Sequence, residues 1–161
     1  MIASAGVRSA VVAAGCLALW AAPGVAEPPE LVMVRTRVMV GTNSGPARGI
    51  DKELRQLAVA TSLQRFPYAS FRLLQSEERP VEMNGWAEFP VPGGRHLLVR
   101  PTEFRQGRVA LSVMLMQGRM TLMNTVLRLR NRGEFVVAGP QQGDGVLFLS
   151  IGATISAPAQ R

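Results

Sequence analysis

Alternating arginines are the residues of this sequence best suited to bind a ligand. In the stretch LRLRNR, a strand would place Arg128 and Arg130 on one face, and Arg132 follows them. Arg35 and Arg37 repeat this spacing near the start of the chain. Because guanidinium groups make paired hydrogen bonds to carboxylate or phosphate, these five arginines predict contacts with a partner or anion. The same alternation is also typical of any half-exposed strand, so a merely solvated face stays the competing interpretation.

Groups suited to catalysis are few in this sequence. His96 is its only histidine. As a general base it would need an orienting carboxylate, for which Glu88 and Glu103 are candidates, and a nucleophile. The candidate nucleophiles are Ser112 and Ser150. No G-x-S-x-G, S-x-x-K or H-E-x-x-H motif accompanies them, so the sequence predicts no enzyme and no catalytic residue, and a hydrolase using His96 is only the third hypothesis.

Four methionines of one predicted hairpin offer thioether sulfurs, which are soft ligands for Cu(I). They are Met114, Met116, Met120 and Met123. Met123 has the opposite strand parity to Met120, however, and methionine commonly fills irregular gaps in cores. The sequence therefore predicts neither a metal site nor a cofactor.

The elements that would position these residues are mostly strands. Valines alternate with arginines in a first strand from Leu31 to Val40. After residue 69, apolar residues alternate and turn residues recur about every ten positions, which is the rhythm of an antiparallel sheet or sandwich. The later strands are expected near Ser70–Gln75, Pro80–Met83, Trp86–Val91, His96–Phe104, Arg108–Gln117, Met120–Arg130, Phe135–Ala138 and Val146–Ile155.

A helix is expected between the first strand and the rest. Asp51 is a suitable N-cap, because its carboxylate can accept hydrogen bonds from the first helical N–H groups, and Pro67 would end the helix at Phe66. The predicted buried side of this helix consists of Leu54, Leu57, Ala58 and Thr61. The predicted fold class is therefore α+β: one helix after the first strand, then a mostly antiparallel multi-stranded sheet or two-layer sandwich.

The first 26 residues have the layout of a secretory signal peptide. Arg8 precedes an apolar run of about 14 residues, and small residues then lead to a predicted cleavage after Ala26. This run is shorter than the roughly 20 residues needed to span a bilayer, so no permanent transmembrane segment is expected. Cys16 has apolar residues on both sides of it, which argues against lipid anchoring through its thiol.

Cleavage would leave enough chain for one domain. The predicted organisation is a proline-containing lead at residues 27–30, a single α+β domain at residues 31–155 and a flexible tail at residues 156–161. Cleavage would also remove Cys16, the only cysteine, so the mature chain would contain neither a disulfide nor a thiolate metal site.

The charge balance favours acidic partners. The formal net charge is +7, and every basic residue except Lys52 is an arginine. The few aromatic residues are scattered, so the sequence does not favour nucleic acid as a partner.

From the signal peptide, the absence of catalytic motifs and the charge, we expect an exported, periplasmic or extracellular, non-enzymatic protein-interaction module. It would bind another envelope or secreted protein through the arginine face or an unpaired strand edge. The alternative is binding of an anionic lipid or polysaccharide by the same arginines.

Overall fold

The computed structural model describes residues 31–46 and 48–155, and most of this chain is in strands. The predictions of a signal peptide, a proline-containing lead and a tail lie outside these residues. In chain order the elements are β1 (Leu31–Thr42), β2 (Gly49–Ile50), α1 (Lys52–Arg55), α2 (Val59–Leu63), β3 (Ser70–Glu82), β4 (Ala87–Val91), β5 (Arg95–Arg105), β6 (Arg108–Gln117), β7 (Met120–Arg130), β8 (Gly133–Gln142) and β9 (Gly145–Ile155).

The described strands form two sheets. One has five strands in the order β2-β3-β1-β9-β8, and the other has four in the order β4-β5-β6-β7. All pairs are antiparallel except the two-residue contact between β2 and β3, so the predicted antiparallel sheet is confirmed. The chain passes from the first sheet to the second between β3 and β4, and it returns between β7 and β8.

The main core lies between the two sheets. Val32, Val34 and Val38 on β1 are buried together with inward side chains of the other sheet such as Leu97 on β5 and Leu111 on β6. Each large apolar side chain removed from water in this way contributes about 1.5–3 kcal/mol to folding. Since alternate residues of a strand point to opposite faces, this core also fixes which residues of β5, β6 and β7 face outward.

A second apolar cluster covers part of the outer face of the five-stranded sheet. The helical segment contributes Leu54, Val59 and Leu63, which are buried against sheet residues. Phe71 and Phe148 pack edge to face in this cluster, with ring centroids 5.3 Å apart. The helices therefore close one end of this outer face, and its other end carries Arg35 and Arg37 of β1.

The predicted α+β class is wrong, because the chain is mostly β and the single long helix does not form. Strands account for 69% and helices for 7% of the described residues, with the helical residues in two helices of four and five residues. Asp51 makes no side-chain cap hydrogen bond; its carboxylate instead accepts one from the Leu73 N–H of β3, at 3.3 Å. Of the predicted buried side, Leu54 is buried but Ala58 and Thr61 are exposed. Packing in the second apolar cluster, rather than helical periodicity, decides which side chains are buried.

One long strand, β3, replaces the two strands predicted around residues 70–83. Arg79 and Pro80 pair with β1 inside this continuous ladder. Proline is tolerated there because β3 has a paired strand on only one side at that point, so the missing N–H need not break a second ladder.

Candidate anion-binding site

The five predicted arginines do not form one face. Arg35 and Arg37 lie on β1 of the five-stranded sheet, whereas Arg128 and Arg130 lie on β7 of the four-stranded sheet. Arg132 lies in the turn between β7 and β8, with a φ of 62°. The predicted alternation on β7 is confirmed, since Leu127 and Leu129 are buried while the two arginines are exposed, but the arginines of β1 belong to a different surface.

Arg37 is a buried structural residue. It is 7% exposed and forms a salt bridge with Glu134 on β8, and the same carboxylate oxygen accepts a hydrogen bond from Ser150 on β9. A buried guanidinium requires such a paired carboxylate, because an unpaired charge in the interior is very unfavourable. Arg37 thus joins three strands and is not available to a partner.

Arg35 is also occupied, although it is more exposed. Its Nε and Nη2 atoms donate to Glu78 Oε2 at 3.0 and 2.9 Å, and Glu78 is its cross-strand neighbour on β3. Arg35 and Arg132 line a small cavity of about 310 Å³ together with Glu134. Glu78 and Glu134 therefore already pair with Arg35 and Arg37 on this surface.

Arg128 and Arg130 belong to a different group, which we call the arginine cluster: Arg105, Arg108, Arg128 and Arg130. Arg108 on β6 lies directly across from Arg105 on β5 and directly across from Arg130 on β7. Cβ atoms of directly opposed residues lie about 4.5–5.5 Å apart, and like charges so placed destabilise a sheet. The cluster is thus a row of three opposed arginines across three strands, with Arg128 beside it.

A shallow depression adjoins this row. Ala110 lies between Glu103 on β5 and Arg128 on β7, and its short side chain leaves a cavity of about 370 Å³. Arg105 and Arg108 also line it. Three of the four arginines thus line the depression, and Glu103 is the one carboxylate among its described lining residues. Glu103 lies 3.4 Å from Arg105 in an exposed pair. Exposed ion pairs are weak, so the depression stays strongly positive.

The other three arginines of the cluster have no such partner. Within residues 31–46 and 48–155, no carboxylate lies within 4.0 Å of Arg108, Arg128 or Arg130. Their guanidinium groups are exposed and free to donate hydrogen bonds. This arrangement can hold a carboxylate, phosphate or sulfate group by several charge-assisted hydrogen bonds at once.

Sequence reasoning did not select Arg105 and Arg108 as site residues. The signal that places them was present in the two hairpin turns on either side of β6. Gln106 and Gly107 both have positive φ, which fixes a tight β5–β6 hairpin, and Gly118 has positive φ in the turn between β6 and β7. Because hairpin turns set strand register, these turns bring Arg105, Arg108 and Arg130 into one row.

A second basic region surrounds a wide cavity of about 940 Å³ at one end of the sheets. Its cationic residues include Arg48, Lys52, Arg55 and Arg72. Arg72 lies across from Val40, not from another cation, and Asp51 and Asp144 line the same cavity. Its charges are therefore more dispersed and better balanced than those of the arginine cluster.

The structure brings together only part of the predicted catalytic grouping. His96 Nδ1 lies 2.5 Å from Glu88 Oε1, and half or more of each side chain is exposed. Ser112 is four residues along β6 from the residue that pairs with His96, a distance of about 13 Å at 3.3 Å per residue. Ser150 is buried in the other sheet, bound to Glu134, and Glu103 lies at the arginine cluster.

The methionines of the β6–β7 hairpin point in different directions. Met114 and Met116 lie on the outer face, whereas Met123 packs against the main core. The Met116 sulfur accepts a hydrogen bond from the Thr121 hydroxyl at 3.1 Å. In the part of the chain that the structure describes, no group of three or more His, Cys, Asp or Glu side chains could hold a metal ion.

No protein-family model, curated protein sequence or solved structure matches this chain. Among residues 31–46 and 48–155, no helix has the length and apolar character needed to cross a membrane. Function is therefore inferred from the arginine cluster and its surroundings.

Proposed function

We propose that this chain is an exported, non-enzymatic binding module that holds an acidic segment of another envelope or secreted protein on the arginine cluster. The observation that supports this most directly is the row of Arg105, Arg108 and Arg130 across three adjacent strands. Each directly opposed like-charge pair opposes folding by about 0.2–1 kcal/mol. Carboxylates of a partner would relieve this repulsion, so binding would offset the unfavourable energy of the opposed arginines.

The surroundings of the cluster favour a short acidic segment over an extended anionic surface. Glu103 and Glu88 lie on the same outer face of the four-stranded sheet, and both would be repelled by an anionic membrane or a long polysaccharide. The positive charge is concentrated at one end of β5, β6 and β7. A protein segment with two or three carboxylates matches a site of this size.

Export is supported by the signal-like layout of the first 26 residues. A partner that shares the compartment would then be another envelope or secreted protein. Neither catalysis nor a cofactor is needed for this role, because binding uses only charge and hydrogen-bond donors.

Binding of fluorescent poly-L-glutamate to the purified protein at low salt tests the proposal. Arg108→Glu should weaken this binding about tenfold or more, which corresponds to about 1.4 kcal/mol. Arg119→Glu is the matched control. Arg119 is exposed in the turn between β6 and β7, at the opposite end of these strands from Arg108, and its substitution changes the net charge equally. The control should weaken binding only slightly, through long-range charge that salt screens.

Heparin and phosphatidylglycerol vesicles, used as two further probes, separate the partner classes. Poly-L-glutamate should bind more tightly than either. Tighter binding of heparin or of vesicles, lost in Arg108→Glu, would overturn the protein partner and favour the glycan or the lipid. Equal weakening by Arg108→Glu and Arg119→Glu would show that the protein attracts anions only by its net charge and that the cluster is no site.

A further inference from the structure

Strands β7 and β8 are consecutive in the chain but do not pair with each other. β7 is an edge of the four-stranded sheet and β8 is an edge of the five-stranded sheet, although only Asn131 and Arg132 separate them. A cleft of about 480 Å³ lies between the two strands, and residues of both line it. Within the described residues, each strand therefore has one edge without a backbone ladder along this cleft.

The cleft exposes apolar side chains that belong to the core side of the sheets. Phe135 on β8 lies across from the fully buried Ile151, yet Phe135 itself is 49% exposed because β7 does not cover it. Val137 on β8 and Leu127 on β7 also line the cleft. An open strand edge beside exposed apolar surface promotes aggregation, and natural proteins normally cover such an edge.

Charge and strand parity together indicate what covers this edge. Arg128 lines both the cleft and the depression of the arginine cluster, so the two sites are continuous. A strand added along β7 would extend the four-stranded sheet, with side chains pointing alternately inward and outward. Its inward side chains would meet Phe135 and Val137, which are apolar. Its outward side chains would lie beside Arg128 and Arg130 at the end nearest β8 in the chain, and beside the exposed Val126 farther along β7.

We propose that the partner contributes an extended segment of alternating apolar and acidic residues, which enters the cleft and adds to β7 as a new strand. The part of β7 from Met123 to Arg130 is about 23 Å long, enough for a short added strand. Backbone hydrogen bonds to the edge of β7 provide affinity, and the alternating side chains provide specificity. This inference rests on the proposed function, because the acidic residues of the segment are those held by the arginine cluster.

Two synthetic peptides of identical composition test the mode of binding. One alternates glutamate and valine, and the other has all its glutamates before all its valines. The alternating peptide should bind about tenfold more tightly, a difference of about 1.4 kcal/mol, because only it directs apolar side chains inward and acidic ones outward. N-methylation of its backbone amides should abolish this advantage, since a strand without N–H donors cannot complete a ladder.

Variants of the protein locate the binding site of the peptide. Phe135→Ser should remove the preference for the alternating peptide and leave poly-L-glutamate binding unchanged. Trp86→Ser is the matched control, because Trp86 is an aromatic residue of similar exposure, 47%, and it precedes β4, which is the edge of the four-stranded sheet opposite to β7. It should retain the preference, and circular dichroism of both variants checks that they fold.

Equal binding of the two peptides to the native protein would overturn strand addition, and so would an N-methylated peptide that binds as well as its parent. Neither result depends on whether Phe135→Ser folds. If strand addition is overturned in this way but poly-L-glutamate binding still requires Arg108, the proposed function stands and only the inference of an added strand fails. Loss of the Arg108 dependence would instead remove the proposed function itself.

Discussion

Arg108→Glu should stabilise the folded protein while it weakens anion binding. Arg108 lies between two directly opposed arginines, Arg105 and Arg130, so reversal of its charge turns two repulsions into two attractions. Directly opposed pairs on a sheet are worth about 0.2–1 kcal/mol each. Solvent screens the charges of this exposed cluster, so each contribution is taken from the lower end of that range. Two lost repulsions and two new attractions then sum to a net gain of about 1 kcal/mol.

Thermal unfolding followed by circular dichroism measures this gain. A domain of this size should show a rise in Tm of about 3–5 °C for a stabilisation of about 1 kcal/mol. The gain should shrink at high salt, since opposed Cβ atoms are about 5 Å apart and the Debye length falls to about 3 Å at 1 M salt. Arg119→Glu, which carries the same charge change away from the cluster, should leave Tm nearly unchanged.

An unchanged or lower Tm in Arg108→Glu would refute the reasoning, because the opposed arginines would then not repel each other in the folded protein. An equal rise in Arg119→Glu would also refute it, since the effect would then come from net charge alone. Stabilisation combined with lost binding is the pattern expected of a site that keeps an unfavourable charge arrangement for function.

Three further predictions concern other parts of the chain. Arg37→Met should destabilise the protein by about 3 kcal/mol in urea unfolding, because it leaves the Glu134 carboxylate without its buried partner, and Arg37→Met combined with Glu134→Met should recover most of this loss. His96→Ala should change stability by less than about 0.5 kcal/mol, because its pair with Glu88 is exposed. N-terminal sequencing of protein recovered from the native envelope or medium should begin at Glu27.

Each of these has a result that would contradict it. A double variant at least as unstable as Arg37→Met would mean that the charge of Glu134 is not what the arginine balances. Loss of a measurable hydrolytic activity in a folded His96→Ala protein would favour the enzyme hypothesis. An intact N-terminus beginning at Met1 on the recovered protein would exclude cleavage after Ala26.

The strands were largely predictable because their turns carry local chemical signals. The predicted bounds of β6 and β7, Arg108–Gln117 and Met120–Arg130, are those of the structure. Gly118 has positive φ between them, and only glycine adopts that conformation without strain. Alternation of apolar and polar residues then determined which side chains of β7 are buried.

The helix and part of the site depended on contacts that are distant in sequence. Val59 and Leu63 are buried with Phe148 in the second apolar cluster, which the predicted helix did not place in the core. Likewise Arg37 has the same alternation as the exposed arginines, but its salt-bridge partner is 97 residues away in the chain. Local pattern predicts the face of a strand on which a residue lies, whereas the paired sheets decide whether that face meets water.

The most direct test of the account is to map poly-L-glutamate on the protein by NMR, following the arginine side-chain Nε–H signals during a titration. The account predicts that the largest shifts belong to Arg105, Arg108, Arg128 and Arg130, and that they saturate together. Shifts concentrated at Arg48, Arg55 and Arg72 around the wide cavity, or spread evenly over all the arginines, would contradict the claim that the arginine cluster is the binding site.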